Sequence, residues 1–359
     1  MCNTGTIREF RNRSSQQIVE KASPLPTSPR FLSDLELEKN TRGRLYRMKP
    51  LALWCTGSNS AELRSAQLGE GTLIKTLFSG ISRGTERLVF EGRVPVSENE
   101  RMATPGQEGE FSFPVKYGYC AVGQVLEGEH AGREVFSLHP HQNSFRSQVL
   151  HLLPAGLPAE RAVLAANMET ALNILWDSGA SAGDRIGIIG AGVIGALVGY
   201  LAARLPGTEV TLIDLNSKRA GLAKTLGCDF ATPDGAPAGC DVVIHTSASG
   251  EGLQLALTIA GQEARIVEAS WFGTEDVHIN LGGPFHSGRL QITASQVGKL
   301  PSAKLPRWDS SRRMQVALKL LADPTLDVLI SGESRFEEVA ETYGAILNDP
   351  DTLCHRIRY

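Results

Sequence analysis

A glycine-rich segment in the second half of the chain carries the clearest chemistry in the sequence. It reads Gly190-Ala191-Gly192-Val193-Ile194-Gly195 and follows the apolar run at residues 186–189. Between a strand and a helix, the first glycine permits a tight turn, the second lets the backbone approach a pyrophosphate, and the third lets helix and strand pack closely. The helix N-terminus offers free N–H groups to the phosphates. The spacing predicts a dinucleotide site formed by Gly190, Gly192, Val193, Ile194 and Gly195.

An acidic residue stands where such a site needs one. Asp214 follows Gly195 by about 20 residues and ends the second predicted strand, where a carboxylate accepts hydrogen bonds from the ribose hydroxyls of NAD. This carboxylate would repel the 2′-phosphate of NADP, whereas Lys218 and Arg219, which follow closely, would tolerate it. We therefore expect NAD as the cofactor, with Arg219 near it, and keep NADP as an alternative.

Alternating strands and helices must position these residues. From Arg185 onward the pattern predicts a doubly wound parallel sheet. The alternative to a dinucleotide site is a glycine-rich turn of an α/β protein that binds nothing. Residues 186–203 carry no charge, which raises a membrane helix as a further alternative, but glycines interrupt the run. The predicted strands are residues 186–189, 210–213, 241–245, 265–269 and 291–297. The predicted helices are residues 193–205, 217–226, 253–260, 312–321 and 336–347.

The first part of the chain differs in composition and in hydrophobic pattern. Residues 1–47 are rich in Ser, Thr, Pro, Arg and Lys and predict a flexible extension. Short β-like runs with turn signals follow, at residues 72–78, 121–126 and 134–138, and predict a barrel-like all-β unit. Helical sequence begins near Pro158.

Composition restricts the class of protein. A chain of 359 residues predicts about two domains. Lys and Arg number 36 and Asp and Glu 39, for a net charge of −3, which argues against a protein dedicated to nucleic acid or anionic membranes. The six scattered cysteines form no CxxC pair, which favours a reducing, cytoplasmic location.

From about residue 48 the chain resembles the medium-chain dehydrogenase/reductase superfamily, in a divergent branch of the zinc-type alcohol and polyol dehydrogenases. The segments that carry the resemblance are residues 79–86 (SGISRGTE), 116–123 (KYGYCAVG), 167–171 (NMETA), the glycine segment and residues 295–298 (SQVG). The resemblance implies an α/β protein with a GroES-like β-barrel catalytic domain at residues 48–170. It further implies a Rossmann domain at residues 171–300, a return to the catalytic domain at 301–359, an active site in the cleft, and a homodimer.

The zinc ligands of that superfamily are missing at the matching positions. Ser82 replaces a cysteine, Tyr119 replaces the histidine of a Gly-His-Glu motif, and the third ligand maps near Ala165 or Ala166. Cys120 replaces the glutamate of that motif, and the cysteine-rich structural zinc lobe is absent. Because catalytic zinc takes three protein ligands from Cys, His and carboxylates, we expect no zinc.

Without zinc, side chains must hold the substrate oxygen and move its proton. His139 is the first candidate for general acid or base, since its loop lines the substrate pocket by resemblance and histidine titrates near neutral pH. The Tyr119 hydroxyl would donate to a substrate carbonyl, and Glu169 would orient substrate or act as a base. The structural alternatives are a packing histidine, a hydrogen-bonded core tyrosine and a carboxylate at a helix start.

Further candidates for cofactor binding lie at element ends. Arg83 matches a superfamily position near the pyrophosphate, with a salt-bridged barrel arginine as the alternative. Thr246, Ser247 and Ser270 end two predicted strands, where ligands bind in open α/β sheets. Their hydroxyls would contact the ribose or nicotinamide, or merely cap turns.

These features predict a zinc-independent NAD(P)-dependent oxidoreductase that moves a hydride between nicotinamide and a carbonyl, alcohol or activated alkene. Its partner would be a small-molecule substrate, with neither nucleic acid nor membrane involved. One alternative is a zinc alcohol dehydrogenase with ligands relocated to Cys120, His139, His141 and Glu169. Another is a catalytically silent protein that senses NAD(P) or serves as a scaffold on the same fold.

Overall fold

The computed structural model describes residues 37–40, 43–46 and 49–359. The chain divides into two compact units, Met1–Met48 and Lys49–Tyr359. In the first, strands β1 (Leu37–Asn40) and β2 (Gly43–Tyr46) form an antiparallel hairpin. The predicted flexible extension at residues 1–47 otherwise lies outside the described residues.

Short strands and tight turns form the first part of the second unit, as the alternating pattern predicts. The strands are β3 (Leu51–Gly57), β4 (Ser60–Ser65), β5 (Thr72–Ser82), β6 (Glu108–Gly109), β7 (Val115–Lys116), β8 (Ala121–Val125), β9 (Glu134–Ser137), β10 (Ser144–Ser147) and β11 (His151–Leu152). Helix α1 (Arg83–Phe90) continues directly from β5, which places the start of that helix at the end of the longest of these strands.

Helices and parallel strands alternate through the middle of the chain. The elements are α2 (Ala159–Ala162), α3 (Ala165–Ser178), β12 (Arg185–Ile189), α4 (Val193–Ala202), β13 (Glu209–Ile213), α5 (Arg219–Leu226), β14 (Asp229–Ala231), β15 (Cys240–His245), α6 (Gly250–Ile259), β16 (Ala260–Glu268), α7 (Pro284–Ser287) and β17 (Gln291–Ala294). All six strands pair in parallel in the order β14-β13-β12-β15-β16-β17. This order is that of a doubly wound dinucleotide-binding sheet.

The register of this sheet brings the candidate residues to one edge. Ile189 lies beside Ile213 on one side and His245 on the other, and His245 lies beside Glu268. The glycine turn, Asp214 and the segments after β15 and β16 therefore leave the sheet side by side. Ligands of doubly wound sheets bind at this carboxyl edge.

The last elements return to the β-rich part. They are α8 (Ser310–Leu320), β18 (Ile330–Arg335), α9 (Val339–Asn348) and β19 (Cys354–Arg358). Strand β19 pairs antiparallel with β5, in a sheet of order β11-β9-β8-β5-β19-β18 to which β10 also pairs through β5. A second sheet has the order β4-β3-β7-β6, and an isolated bridge joins Ala52 to Gln142.

One apolar core joins the β-rich part to the parallel sheet. It includes Val122 of β8, Phe136 of β9, Met168 of α3, Ile186 of β12 and Leu197 of α4, all fully buried. Helix α3 thus packs against both the β-rich part and the parallel sheet. Within the described part of the chain, no helix is long and apolar enough to cross a membrane. The membrane-helix alternative is wrong, because residues 186–203 form the buried strand β12, a turn and α4.

Element boundaries differ from the predictions by a few residues, for local reasons. Helix α4 ends at Ala202 rather than residue 205 because the segment before Pro206 tightens into turns. The helical sequence after Pro158 divides into α2 and α3, and α3 ends at Ser178 before Gly179, which adopts a φ of 69°. Left-handed backbone of this kind is typical of a glycine after a helix.

Candidate active site

The glycine turn has the geometry of a phosphate cradle. Gly190 adopts a φ of +100°, and a Cβ there would lie 2.9 Å from the Ser247 backbone nitrogen. A Cβ on Gly195 would lie 1.9 Å from the Gly190 carbonyl oxygen, whereas one on Gly192 would meet nothing within 4 Å. Gly192 directly precedes α4, and no side chain caps the N-terminus of that helix. The first N–H groups of α4, at Val193 and Ile194, fit a pyrophosphate there.

Asp214 is fixed at the end of β13. Its Oδ2 accepts a hydrogen bond from the Ala191 N–H at 2.7 Å, and its Oδ1 accepts one from the Asn216 N–H at 2.8 Å. The carboxylate thereby ties the glycine turn to the loop after β13. Each carboxylate oxygen has a second lone pair, so the group retains capacity for ribose hydroxyls.

Two arginines from different parts of the fold face the same region. Arg83 begins α1, and its Nε donates to the Leu347 carbonyl oxygen at 2.9 Å, whereas Arg219 begins α5 and donates to the Pro350 carbonyl oxygen at 2.9 Å. Burial lowers the pKa of Arg83, the positive charges of Arg87 and Arg219 lower it further, and the carboxylates of Asp349 and Glu91 oppose that shift. The two guanidinium groups supply positive charge that suits a pyrophosphate.

The three predicted hydroxyls at the strand ends have different roles. Thr246 donates to the carbonyl oxygens of Ile189 and Gly190, at 3.1 and 2.9 Å, so it holds the glycine turn. The Ser270 hydroxyl accepts a hydrogen bond from the Ala248 N–H at 3.0 Å, which is a turn contact. Ser247 is exposed, so among these three it is the hydroxyl most open to a bound ribose.

A buried histidine orients Ser247, and sequence reasoning missed it. His245 is fully buried at the end of β15; its Nε2 lies 2.7 Å from the Ser247 hydroxyl and its Nδ1 2.6 Å from Glu268 Oε2. Because the ionised carboxylate only accepts, Nδ1 carries the proton. The signal in the sequence was a histidine that ends an apolar strand, but its partner lies on the neighbouring strand.

A cluster of hydroxyl and amide groups occupies the region where zinc ligands were expected. The Asn167 amide Nδ2 donates to the Ser82 hydroxyl at 3.1 Å, and the buried Asn167 Oδ1 has no protein partner. Burial raises the pKa of Tyr119 well above its usual range, and the nearby Ser82 and Thr85 side chains oppose that shift. We call Ser82, Thr85, Tyr119 and Asn167 the hydroxyl–amide cluster.

A fully buried carboxylate supports this cluster from behind and was also missed. Glu86 Oε1 accepts the Ser82 backbone N–H at 2.7 Å, and Oε2 accepts the Tyr343 hydroxyl at 2.7 Å and lies 2.9 Å from His141 Nε2. His141 Nδ1 in turn lies 2.8 Å from the Ser79 hydroxyl. These contacts fix the backbone of Ser82 and give His141 a structural role.

His139 does not have the surroundings expected of a proton donor. Its ring stacks on Phe145 with centroids 3.9 Å apart, and its Nδ1 donates to the Pro140 carbonyl oxygen at 3.0 Å. Burial lowers its pKa to about 3, so the ring is neutral near pH 7. It lines a cavity of about 580 Å³ within the β-rich part, together with residues that include Lys116 and Arg146. Its surroundings favour the packing histidine over the general acid.

Glu169 is held in an ion pair and lies apart from the hydroxyl–amide cluster's hydrogen bonds. Arg313 of α8 donates to it at 3.0 Å and also donates to Asn173 and to the Val297 carbonyl oxygen. Burial raises the pKa of Glu169 and the guanidinium opposes that shift. Since both members of the pair are nearly fully buried, Glu169 ties α3 to α8 rather than facing a substrate as a base.

Comparison with known proteins shows what this architecture is similar to. No family model matches the chain. The sequence is 22% identical over 320 residues to D-guloside 3-dehydrogenase of Escherichia coli K12, over 80% of this chain and 89% of that protein. The structure is similar to L-idonate 5-dehydrogenase of Escherichia coli, with a TM-score of 0.69 and 15% identity over 87% of this chain and 99% of that one. A candidate zinc-binding dehydrogenase of Sinorhizobium meliloti, solved with NADP, gives a TM-score of 0.68 and 19% identity over 87% and 100%.

The chain has the fold of the medium-chain dehydrogenases and reductases. The resemblance and the fold class predicted from the sequence, a GroES-like barrel with a Rossmann domain, are confirmed. The prediction of a dehydrogenase is confirmed as well, because the curated sequence relative is one over nearly its whole length.

The described residues of this chain do not supply a donor set that fits zinc at the positions expected from the resemblance. The positions expected to supply ligands hold Ser82, Tyr119 and an alanine, and the Asn167 amide N–H points at the Ser82 oxygen. The relocated set is not assembled either, because His141 is bound to Glu86, His139 to Pro140 and Glu169 to Arg313. Between residues 49 and 359, no three His, Cys, Asp or Glu side chains are grouped as metal ligands.

Proposed function

We propose that this chain is a zinc-independent NAD(P)-dependent oxidoreductase that interconverts a secondary alcohol and its ketone on a small polyhydroxylated molecule. The observation that carries the proposal is the Asn167–Ser82 hydrogen bond beside Tyr119. The Asn167 amide and the Ser82 hydroxyl are neutral hydrogen-bonding groups at a position where zinc-binding relatives would hold a metal cation. The names of the curated relative and of one solved protein, a D-guloside 3-dehydrogenase and an L-idonate 5-dehydrogenase, support the substrate class.

A nicotinamide cofactor is the predicted one, and solved proteins of this fold contain NADP or NADH. The residues that would hold it are Gly190, Gly192, Val193, Ile194, Gly195, Asp214, Arg83, Arg219 and Ser247. When bound, the nicotinamide supplies or accepts the hydride. The open space at Gly192 supports this placement.

The chain itself must hold the substrate oxygen and move its proton. Tyr119 remains protonated near neutral pH because burial raises its pKa, so in the reduction direction its hydroxyl donates its proton to the carbonyl oxygen of the substrate and is left as tyrosinate. In the oxidation direction that tyrosinate is the form that accepts the proton of the alcohol. The Asn167 amide keeps the Ser82 hydroxyl in place beside Tyr119 through its Nδ2 hydrogen bond. Glu86 keeps Ser82 and hence this arrangement in place.

Two accompanying predictions concern assembly and location. We infer a homodimer through β17, because this edge strand pairs only with β16 among the described strands and exposes Ile292. Sedimentation velocity would test it, with a monomer mass as the contradicting result. A cytoplasmic location is inferred from the cysteines, of which Cys55, Cys120, Cys228, Cys240 and Cys354 are buried free thiols.

The proposal is tested by NADH and NADPH fluorescence titration followed by turnover assays. The assays use a panel of polyols, sugar acids, glycosides and their keto forms, in both directions, with zinc measured in the same sample. We expect cofactor binding and turnover of at least one polyhydroxylated substrate without stoichiometric zinc. Binding without turnover across the panel would favour the silent sensor, and no binding of either nucleotide would overturn the proposal.

A further inference from the structure

A turn from the C-terminal part of the chain covers the loop that follows Asp214. We call residues 349–351 (Asp349, Pro350 and Asp351) the acidic turn. Asp351 accepts hydrogen bonds from the Asn216 amide and from the Lys218 ammonium, each at 2.7 Å. The Pro350 carbonyl oxygen accepts one from Arg219 at 2.9 Å. Three polar side chains within four residues, near the predicted ribose site, are therefore bound by one turn that lies more than a hundred residues later in the sequence.

The acidic turn is held in place independently of these contacts. The Asp351 N–H donates to the Asp349 side chain at 2.9 Å, and the Thr352 N–H donates to the Asp349 carbonyl oxygen at 3.1 Å. Helix α9 precedes the turn and strand β19 follows it, and β19 is paired with β5. The backbone of the acidic turn is thus fixed without Lys218, and the Asn216 amide also holds the Asp351 carboxylate.

Charge at this place decides between the two nicotinamide dinucleotides. NADP differs from NAD by a phosphate on the 2′-oxygen of the adenosine ribose, and proteins that bind NADP hold this group with cations after the second strand. Here Lys218 and Arg219 are the cations after the second strand, and both bind the acidic turn. A 2′-phosphate would meet Asp214 on one side and Asp351 on the other, and like charges in contact are costly.

We propose that Asp351 makes this enzyme select NAD(H) over NADP(H), because it neutralises Lys218 and adds a second negative charge beside the ribose site. The inference rests on the proposed function and extends it, since the sequence offered only Asp214 for this selection. The Asp351 carboxylate also raises the pKa of Lys218, and Lys218 in turn lowers the pKa of Asp351, as expected of a pair that is ionised together.

The test compares dissociation constants of NADH and NADPH for the full-length protein and for Asp351→Asn. We expect the wild-type protein to bind NADH at least about tenfold more tightly than NADPH. Asp351→Asn should tighten NADPH binding about fivefold or more and leave NADH within about twofold, because only the phosphate senses the removed charge. The gain should shrink in high salt, since the groups are exposed to solvent.

Two further variants distinguish an effect of charge on NADPH binding from a loss of folding. Lys218→Gln combined with Asp351→Asn should lose most of the gain in NADPH affinity, because the freed ammonium is what binds the phosphate. Glu337→Gln is the matched control, since this exposed carboxylate pairs with Arg335 instead. Equal NADPH-to-NADH ratios in wild type and Asp351→Asn, or a wild-type preference for NADPH, would overturn the inference. Absence of binding of both nucleotides by the wild type would instead overturn the proposed function, and the selectivity with it.

Discussion

The side-chain amide of Asn167 donates a hydrogen bond to the hydroxyl of Ser82 across 3.1 Å, at a position where the zinc-type relatives are expected to have a metal ligand. The Asn167 N–H group points its partial positive charge at the Ser82 oxygen, and this disfavours a metal cation bound to that oxygen. The same pair leaves the Asn167 Oδ1 buried without a protein partner, which is uncommon for a buried polar atom. The chemistry assigned to this site depends on that arrangement.

Two glycines of the same turn should respond differently to alanine. Gly192→Ala should leave the thermal unfolding midpoint unchanged, since its Cβ would meet nothing within 4 Å, but should weaken NADH binding about tenfold or more by filling the phosphate cradle. Gly195→Ala should destabilise the fold by about 1–3 kcal/mol, because its Cβ would lie 1.9 Å from the Gly190 carbonyl oxygen. Fluorescence titration and thermal unfolding measure both effects. If Gly192→Ala bound NADH as tightly as the wild-type protein, the pyrophosphate could not bind at this turn.

Tyr119→Phe should lower kcat about a hundredfold or more and leave the dissociation constant of NADH unchanged, because the variant loses only the proton donor. The matched control is Tyr117→Phe, a buried tyrosine whose ring centroid lies 6.1 Å from that of Tyr119. The control should keep wild-type kcat. Equal kcat values for the two variants would show that Tyr119 does not move the proton.

Glu169→Gln should act on stability and not on turnover. It leaves the Arg313 guanidinium buried without its carboxylate, which should lower the free energy of unfolding by up to about 3 kcal/mol. The kcat per folded molecule should stay within about twofold of wild type, and the exposed Glu160→Gln in α2 is the control. A large fall in kcat without a loss of stability would restore Glu169 as a catalytic base.

His139 should contribute to the dependence of stability on pH. Its pKa in the folded protein is about 3, below its ordinary value of 6.5, so between these values the unfolded chain binds a proton that the folded chain does not. Stability is therefore retained above pH 6.5 and is lost as pH falls below it, by up to about 1.4 kcal/mol per pH unit. His139→Phe should reduce the loss between pH 7 and pH 5, measured by urea unfolding. An identical loss in wild type and variant would contradict the burial of an uncharged ring.

The local elements and the glycine turn were predictable because their signals are local. Strand β12, the turn at Gly190 and helix α4 follow from an apolar run, a glycine spacing and helical periodicity within about 15 residues. The order of the parallel sheet then places Asp214 and Ser247 beside that turn, since strand ends share one edge. The medium-chain fold could be predicted because the short motifs occur in the right order.

The roles of individual side chains were less predictable because their partners are distant in sequence. Glu169 looks like a free carboxylate at a helix start until α8 brings Arg313 to it. From the sequence, His139 is expected to have an ordinary histidine pKa near neutral pH. In the structure, the Phe145 ring stacks on the imidazole and shields it from water. Asp351 belongs to no recognisable sequence motif, and it contacts Lys218 only because the chain returns to that loop after α9. Tertiary packing decides such contacts, and no spacing in the sequence reports them.

The most direct test of the central claim, hydride transfer without zinc, is turnover measured on protein whose metal content is known. The protein is purified without a metal-affinity tag, its zinc is quantified by elemental mass spectrometry, and NADH formation is followed on the polyol panel with and without dipicolinate. We predict turnover that persists with far less than one zinc per chain and is unaffected by the chelator. About one zinc per chain, whose removal abolishes turnover and whose return restores it, would contradict the account.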